Sequence, residues 1–130
     1  SERKKDSLPL KLQAYERMVL FLERISFSKL LVRVKPGDTS VSEYQNKLIL
    51  HIEQEFEHNL AQQIYLSDSG WNAIVSAKNA QIQIIRATTA DKTTETAAEL
   101  REKLLQKSTE SESPTALALT LVKNEVRSIF

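Results

Sequence analysis

The chain has 130 residues, and its 18 Lys and Arg against 17 Asp and Glu give a formal net charge of +1. This balance disfavours nucleic acid as the main partner, because a domain that binds a phosphate backbone needs an excess of basic residues. The lack of cysteine excludes disulfides and thiolate metal sites. Two glycines and three prolines are too few for a strand-rich fold with many turns. The composition therefore predicts one soluble all-α domain, a bundle of four or five helices spanning residues 8–130.

The first seven residues are polar and contain a basic run, Arg3-Lys4-Lys5. They predict either a solvated, tag-like end or a segment next to a membrane, where Lys and Arg accumulate on the cytoplasmic side. No stretch reaches the roughly 20 apolar residues that cross a bilayer. Because the first residue is Ser1 and not Met, we expect the chain to derive from a longer protein, with any membrane anchor outside it.

A first helix is predicted at about 8–26, where apolar residues recur at helical spacing. Met18, Phe21 and Ile25 widen its apolar stripe, which is typical of a helix covered on several sides. The next segment, 27–35, has the sequence FSKLLVRVK, which fits a short strand, an extension of the first helix or a separate helical turn. Pro36-Gly37-Asp38 then predicts a turn.

The second helix is predicted at about 40–64, and its start carries a capping box, Ser40 and Glu43. Asn59 and Gln63 fall on the same arc as the apolar residues, so both amides should lose water and need partners inside the fold. The sequence therefore predicts a buried hydrogen-bond network that fixes how the first three helices dock. Its proposed members are Glu55, Asn59, Gln62, Gln63, Lys78 and Tyr15.

Three further helices are predicted, at about 69–87, 95–107 and 114–130. Lys78 lies within the apolar arc of the first of these, so either its stem packs along apolar groups or its ammonium forms an ion pair. Ser113-Pro114 is a strong start signal for the last helix. Leu117 and Leu121 give that helix more apolar surface than one core contact requires, which favours a protein partner or a second copy of the chain.

A metal site is the alternative hypothesis. His51, Glu55 and His58 lie along one side of the second helix, and Glu55 and His58 form a Glu-x-x-His pair like those of di-iron bundles. A complete site would need a homodimer or carboxylates such as Glu16 or Glu23. The favoured interpretation is instead that the two histidines cap or pair at a half-exposed boundary. No nucleophile, phosphate-loop or zinc-protease motif is present, so we expect neither enzymatic activity nor a cofactor.

Three stretches resemble an uncharacterised family of Bacteroidota proteins: 12–25, 55–67, and Trp71 with Ala77-Lys78. The resemblance covers about residues 8–85, and the second stretch is its most specific part. It implies an N-terminal membrane helix, then a charged segment, then this domain, which would make 1–6 the cytoplasmic juxtamembrane end at an inner membrane. It implies no activity, cofactor or partner.

We therefore expect a non-enzymatic interaction or scaffold domain on the cytoplasmic side of an inner membrane. A third hypothesis is a small ligand bound between helices, in an apolar cavity that reaches Asn59 and Gln63.

Overall fold

A computed structural model describes residues 2–109 and 113–129, with side chains from residue 8 onward. The described residues form helices and contain no strand, so the predicted all-α fold is confirmed. The elements are α1 (Glu2–Ile25), α2 (Phe27–Arg33), α3 (Val41–Glu57), a 3-10 helix (Leu60–Tyr65), α4 (Asp68–Ala90), α5 (Ala97–Lys107) and α6 (Pro114–Ile129).

Local signals explain where the helices begin. At α3 the Ser40 side chain accepts from the Glu43 backbone N–H while the Glu43 carboxylate accepts from the Ser40 N–H, which confirms the predicted capping box. Ser67 caps α4 by accepting from Gly70 N–H, and Ser113 accepts from Ala116 N–H at the start of α6. These caps satisfy backbone donors that the helices themselves leave free.

The ambiguous segment after the first helix is a separate short helix, α2. Ser26 adopts an extended conformation that ends α1, and the chain then turns back into helix. Phe27, Leu30 and Leu31 are buried, at the spacing by which one helical face meets a core. The turn that follows places Gly37 at a φ of 56°, a left-handed conformation that glycine adopts at low cost.

The first helix is central, as its wide apolar stripe predicts. It packs against α2, α3, α4, α6 and the 3-10 helix. The sequence predicts a polar segment at 1–7 that precedes the helix. The α1 backbone is already helical from Glu2, so residues 2–7 of that segment belong to the helix. The largest side chains with almost no solvent exposure are Tyr15, Tyr44, Phe21, Met18, Leu22, Ile25, Leu30, Leu31, Leu48, Ile52, Ile74 and Ile85.

The prediction of one unbroken helix over 40–64 is wrong. The α-helix ends at Glu57 and a 3-10 helix follows at Leu60. The Asn59 side chain donates to Glu55 O (2.8 Å), the acceptor that its own backbone N–H would take in an α-helix, and the N–H bonds Phe56 O instead (3.0 Å). Because the side-chain amide takes this acceptor, the α-helical hydrogen bonding ends here without a glycine or proline.

No helix in the described part of the chain combines the length and the apolar character that a membrane span requires.

Candidate functional site: a helical groove and a polar cleft

The residues of the predicted network point to different partners. Tyr15 Oη donates to a carboxylate oxygen of Glu125 on α6 (2.8 Å). Arg24 Nε donates to Glu55 (2.7 Å), which ties α3 to α1. Lys78 forms an ion pair with Glu53, which is not one of the six predicted residues. The six residues therefore do not form one network.

The two amides that were expected to be buried bond locally. Asn59 is half-buried and donates to the carbonyl four residues earlier, while Gln63 is exposed and donates to Leu60 O (3.0 Å). Gln62 is half-buried. A 3-10 helix advances about 120° per residue and not 100°, so the change of helix type after Glu57 rotates the later residues off the predicted inward arc. The expected burial of both amides is therefore wrong for Gln63 and only partial for Asn59.

Lys78 forms an ion pair, which was one of the two alternatives for this residue. Its Nζ lies 3.1 Å from Glu53 Oε1 and 4.6 Å from the centre of the Phe56 ring. The Phe56 ring in turn stacks on Trp71, with 5.4 Å between ring centres. The ammonium thus joins α4 to α3 through a carboxylate and an aromatic face.

The row proposed as a metal site is split between environments. His51 is half-buried, His58 is exposed at the C-cap of α3, and Glu55 accepts from Arg24. Within the described ranges, no three His, Asp or Glu side chains are grouped so that they could hold a metal ion. Glu16 and Glu23 do not complete the row there.

Replacing Asn59 with leucine should change the free energy of unfolding by less than about 1 kcal/mol. The substitution removes one local, half-exposed hydrogen bond at a position that already lies outside the α-helix. Urea denaturation of the two proteins measures the difference. A loss above about 2 kcal/mol would show that Asn59 supports long-range packing after all.

A cluster around Glu125 joins three helices. The Glu125 carboxylate accepts from Tyr15 on α1, from Ser69 Oγ (2.8 Å) and from Ser67 Oγ, the cap of α4. Burial by itself raises the pKa of Glu125, but these hydroxyl donors outweigh it and hold the pKa below its ordinary value. The carboxylate also lies beside the positive end of the α4 dipole. Sequence reasoning missed Glu125 because its partners are as far as 110 residues away along the chain.

Gly70 makes room for this carboxylate. A Cβ at this buried position would lie 2.7 Å from Glu125 Oε2 and 3.0 Å from Ser67 Oγ. The first distance is too short for a carbon beside an oxygen, so any other residue would force the end of the Glu125 side chain to shift, and the second would press on Ser67 Oγ.

A shallow apolar groove runs between α4 and α6. It has a volume of about 330 Å³ and is lined by Ala73, Ser76, Ala77, Ala80, Pro114, Leu117, Ala118 and Leu121. Leu117 is 58% exposed and Leu121 is 40% exposed. None of these lining residues is charged, although 27% of the chain is. Depletion of charge is typical of the central part of a protein interface.

A second, more polar cleft lies where α1 ends and α6 begins. It has a volume of about 330 Å³, and Gln81 of α4 is among its lining residues. Gln81 is 1% exposed; its Nε2 donates to Ile25 O (2.9 Å), while its Oε1 has no hydrogen-bond partner in the described structure. An unpaired acceptor of this kind costs about 1–3 kcal/mol, so it needs an explanation.

The fold and these two sites define a small all-α domain with an uncharged groove between α4 and α6 and a separate cleft that carries charged residues. The chain belongs to DUF7935, a family of unknown function, whose model matches residues 1–129. This agrees with the resemblance to an uncharacterised family at that level of detail. No curated protein and no solved structure matches the chain.

Proposed function

We propose that this domain is a non-enzymatic interaction or scaffold module that associates with a second copy of itself through the groove between α4 and α6. The observation that carries the proposal is an exposed apolar surface free of charge, with Leu117 and Leu121 on one side and small residues on the other. Large exposed apolar side chains next to a groove are typical of contact sites.

The shape of the groove favours a second copy over an unrelated partner. Two large side chains on α6 form a ridge, and the α4 residues Ala73, Ser76 and Ala80 form a channel beside it. In a twofold arrangement the ridge of each copy can enter the channel of the other, because both features lie on one surface. Residues near a twofold axis also meet their own copies, so any charge there would face a like charge. The groove lining carries none.

The size of the surface predicts a weak dimer. At 1.5 Å per residue, the 16 residues of α6 span about 24 Å, and two adjacent helices are about 20 Å wide. Because only the first half of α6 lines the groove, the footprint is at most roughly 500 Å² per copy, below the roughly 800 Å² of a standard stable interface. We therefore expect a dissociation constant in the micromolar range.

We also propose that the domain lies on the cytoplasmic side of an inner membrane in Bacteroidota. The family resemblance and the basic run Arg3-Lys4-Lys5 support this location, since basic residues accumulate on the cytoplasmic side of an anchor. Tethering would raise the local concentration of the domain, so that a weak contact would suffice for assembly.

Replacing Leu117 with aspartate should weaken self-association by at least tenfold, about 1.4 kcal/mol, because a carboxylate would be buried against an apolar channel. Sedimentation velocity over a concentration series measures the dissociation constant. The matched control is Leu20→Asp, since Leu20 is also 58% exposed but lies on α1, outside the groove. The control should dimerise as the unaltered protein does.

Two results would overturn this proposal. One is a chain that stays monomeric at concentrations of about 1 mM, far above a micromolar dissociation constant. The other is equal weakening by both aspartate variants, which would show that the contact is not in the groove.

A further inference from the structure

A second groove lies between α1 and α6 and has a volume of about 310 Å³. Its apolar floor includes Leu12, which is 39% exposed, and the half-buried Val19 and Val126. Unlike the groove between α4 and α6, this one is lined by charged side chains, Glu16, Lys123 and Arg127. We refer to it as the charged groove.

The charges of this groove stand on opposite edges. Glu16 is exposed on the α1 edge, while Lys123 and Arg127 are exposed on the α6 edge, one helical turn apart. None of the three forms an ion pair with another described residue. All three charges are therefore open to a partner that brings the opposite charge to each edge.

The two edges carry their charges at the same height along the groove. The helices run antiparallel, because Tyr15 of α1 contacts Glu125 near the end of α6, while the end of α1 and the start of α6 meet at the polar cleft. Counting one residue on from the Tyr15 contact, Glu16 lies level with the part of α6 between Lys123 and Arg127.

We propose that a second copy of the chain binds in the charged groove, related to the first by a twofold axis that runs along the groove. Such an axis sets α1 of one copy over α6 of the other and keeps each residue at its height. Each Glu16 then lies between Lys123 and Arg127 of the second copy. An axis across the groove would instead set Glu16 against its own copy, and like charges repel.

The helices of this dimer alternate in direction. Together, α1 and α6 of the two copies form a four-helix bundle in which every helix is antiparallel to both of its neighbours, so that adjacent helix dipoles attract. The apolar floors of the two grooves form its core. The contact does not depend on the groove between α4 and α6 and gives the chain a second surface for copies of itself.

This contact should be weaker than the one proposed between α4 and α6. Leu8 is 36% exposed and extends the apolar strip one turn beyond Leu12, so the strip from Leu8 to Val19 is about 18 Å long. With a width of about 20 Å, the footprint is roughly 350 Å² per copy, well below that of a standard stable interface. We therefore expect a dissociation constant near 100 μM at low salt.

The test is sedimentation velocity of the Leu117→Asp chain, in which the other proposed contact is removed, so that the result does not depend on whether that contact exists. Raising the ionic strength from about 10 mM to about 0.5 M should weaken association at least tenfold, because salt screens the ion pairs. Glu16→Lys should weaken it by a similar factor at low salt, because six cations then face one another. The matched control is Glu102→Lys, the same change of charge at an exposed position on α5, outside the charged groove, and it should change association less than about twofold.

Exchange of the charges between the two edges tests the pairing directly. In the Leu117→Asp chain, Glu16→Lys combined with Lys123→Glu and Arg127→Glu forms the same pairs in reverse. Association should return to within about threefold of that of the Leu117→Asp chain. All three positions are exposed, and circular dichroism checks that the variants keep their helices.

The assignment is overturned if the Leu117→Asp chain stays monomeric at about 1 mM and low salt. It is also overturned if Glu16→Lys and Glu102→Lys weaken association equally, or if the exchange of charges fails to restore it. A monomeric chain that binds vesicles of anionic phospholipid, and loses this binding with Lys123→Glu and Arg127→Glu, would overturn it as well and would assign the charged groove to a membrane surface.

Discussion

Replacing Tyr44 with alanine should lower the free energy of unfolding by about 3–5 kcal/mol, a large part of the roughly 5–15 kcal/mol that holds such a domain together. The Tyr44 side chain has no solvent exposure, and its hydroxyl donates to Val34 O (2.7 Å) at the end of α2. Truncation leaves a cavity and an unpaired carbonyl at the same place. Urea denaturation followed by circular dichroism measures the change.

Tyr65→Ala is the matched control for this result, because Tyr65 is only half-buried at the end of the 3-10 helix. We expect that variant to lose less than half as much stability as Tyr44→Ala. Similar losses in the two variants would contradict the central position of Tyr44.

The hydroxyl of Tyr44 also predicts a loss of stability in alkali. Burial raises the pKa of Tyr44 and the nearby Arg101 opposes this change, and the resulting pKa is about 12. A tyrosine in the unfolded chain ionises near 10. The stability that depends on the neutral phenol is therefore complete below about pH 10 and lost as the pH rises toward 12. Tyr44→Phe should lose about 1–2 kcal/mol at neutral pH and fall less steeply above pH 10.

Glu125→Gln should lower the free energy of unfolding by about 1–2 kcal/mol at neutral pH. A neutral amide keeps one acceptor oxygen but loses the charge that three hydroxyl donors and the α4 dipole stabilise, and partial exposure keeps the loss moderate. Glu102→Gln, at an exposed position on α5, is the matched control and should change stability by less than 0.5 kcal/mol.

The effect of Glu125→Gln should depend on pH in one direction. The pKa of Glu125 is held below that of an unfolded glutamate, so its contribution is present above about pH 4.5 and is lost as the pH falls through the lower, folded pKa. Denaturation at a series of pH values should show the two proteins converging in acid. A difference that stays constant down to about pH 2 would mean that the carboxylate charge is not what stabilises the cluster.

The starts of α3 and α6 could be read from the sequence because capping is local, whereas α1 begins before its predicted start and α2 was left open among three possibilities. Ser40 with Glu43, and Ser113 before Pro114, act within three or four residues of the helix start. The wide apolar stripe of α1 likewise predicted its central position, and the excess apolar surface of Leu117 and Leu121 predicted two exposed side chains.

The end of α3 could not be read in this way. No glycine or proline directly follows Glu57, so the sequence predicted a helix that continues for seven more residues, to residue 64. In the folded chain Phe56 lies between Phe21 and Trp71, which come from two other helices, and the backbone changes to a 3-10 helix directly after it. The Asn59 amide that takes the Glu55 carbonyl is a local cause of this change, but the packing that holds Phe56 depends on residues far away in the sequence.

The sequence by itself determined an all-α domain, the capped starts of α3 and α6 and the surplus apolar face of its last helix, because these follow from caps and periodicity over a few turns. Only the tertiary structure decided the partners of Glu125 and Gln81, and the small residues of α4 that form a groove beside Leu117. The physical reason is that a polar side chain bonds whichever group the packing brings within about 3 Å, and no local pattern encodes a neighbour from another helix.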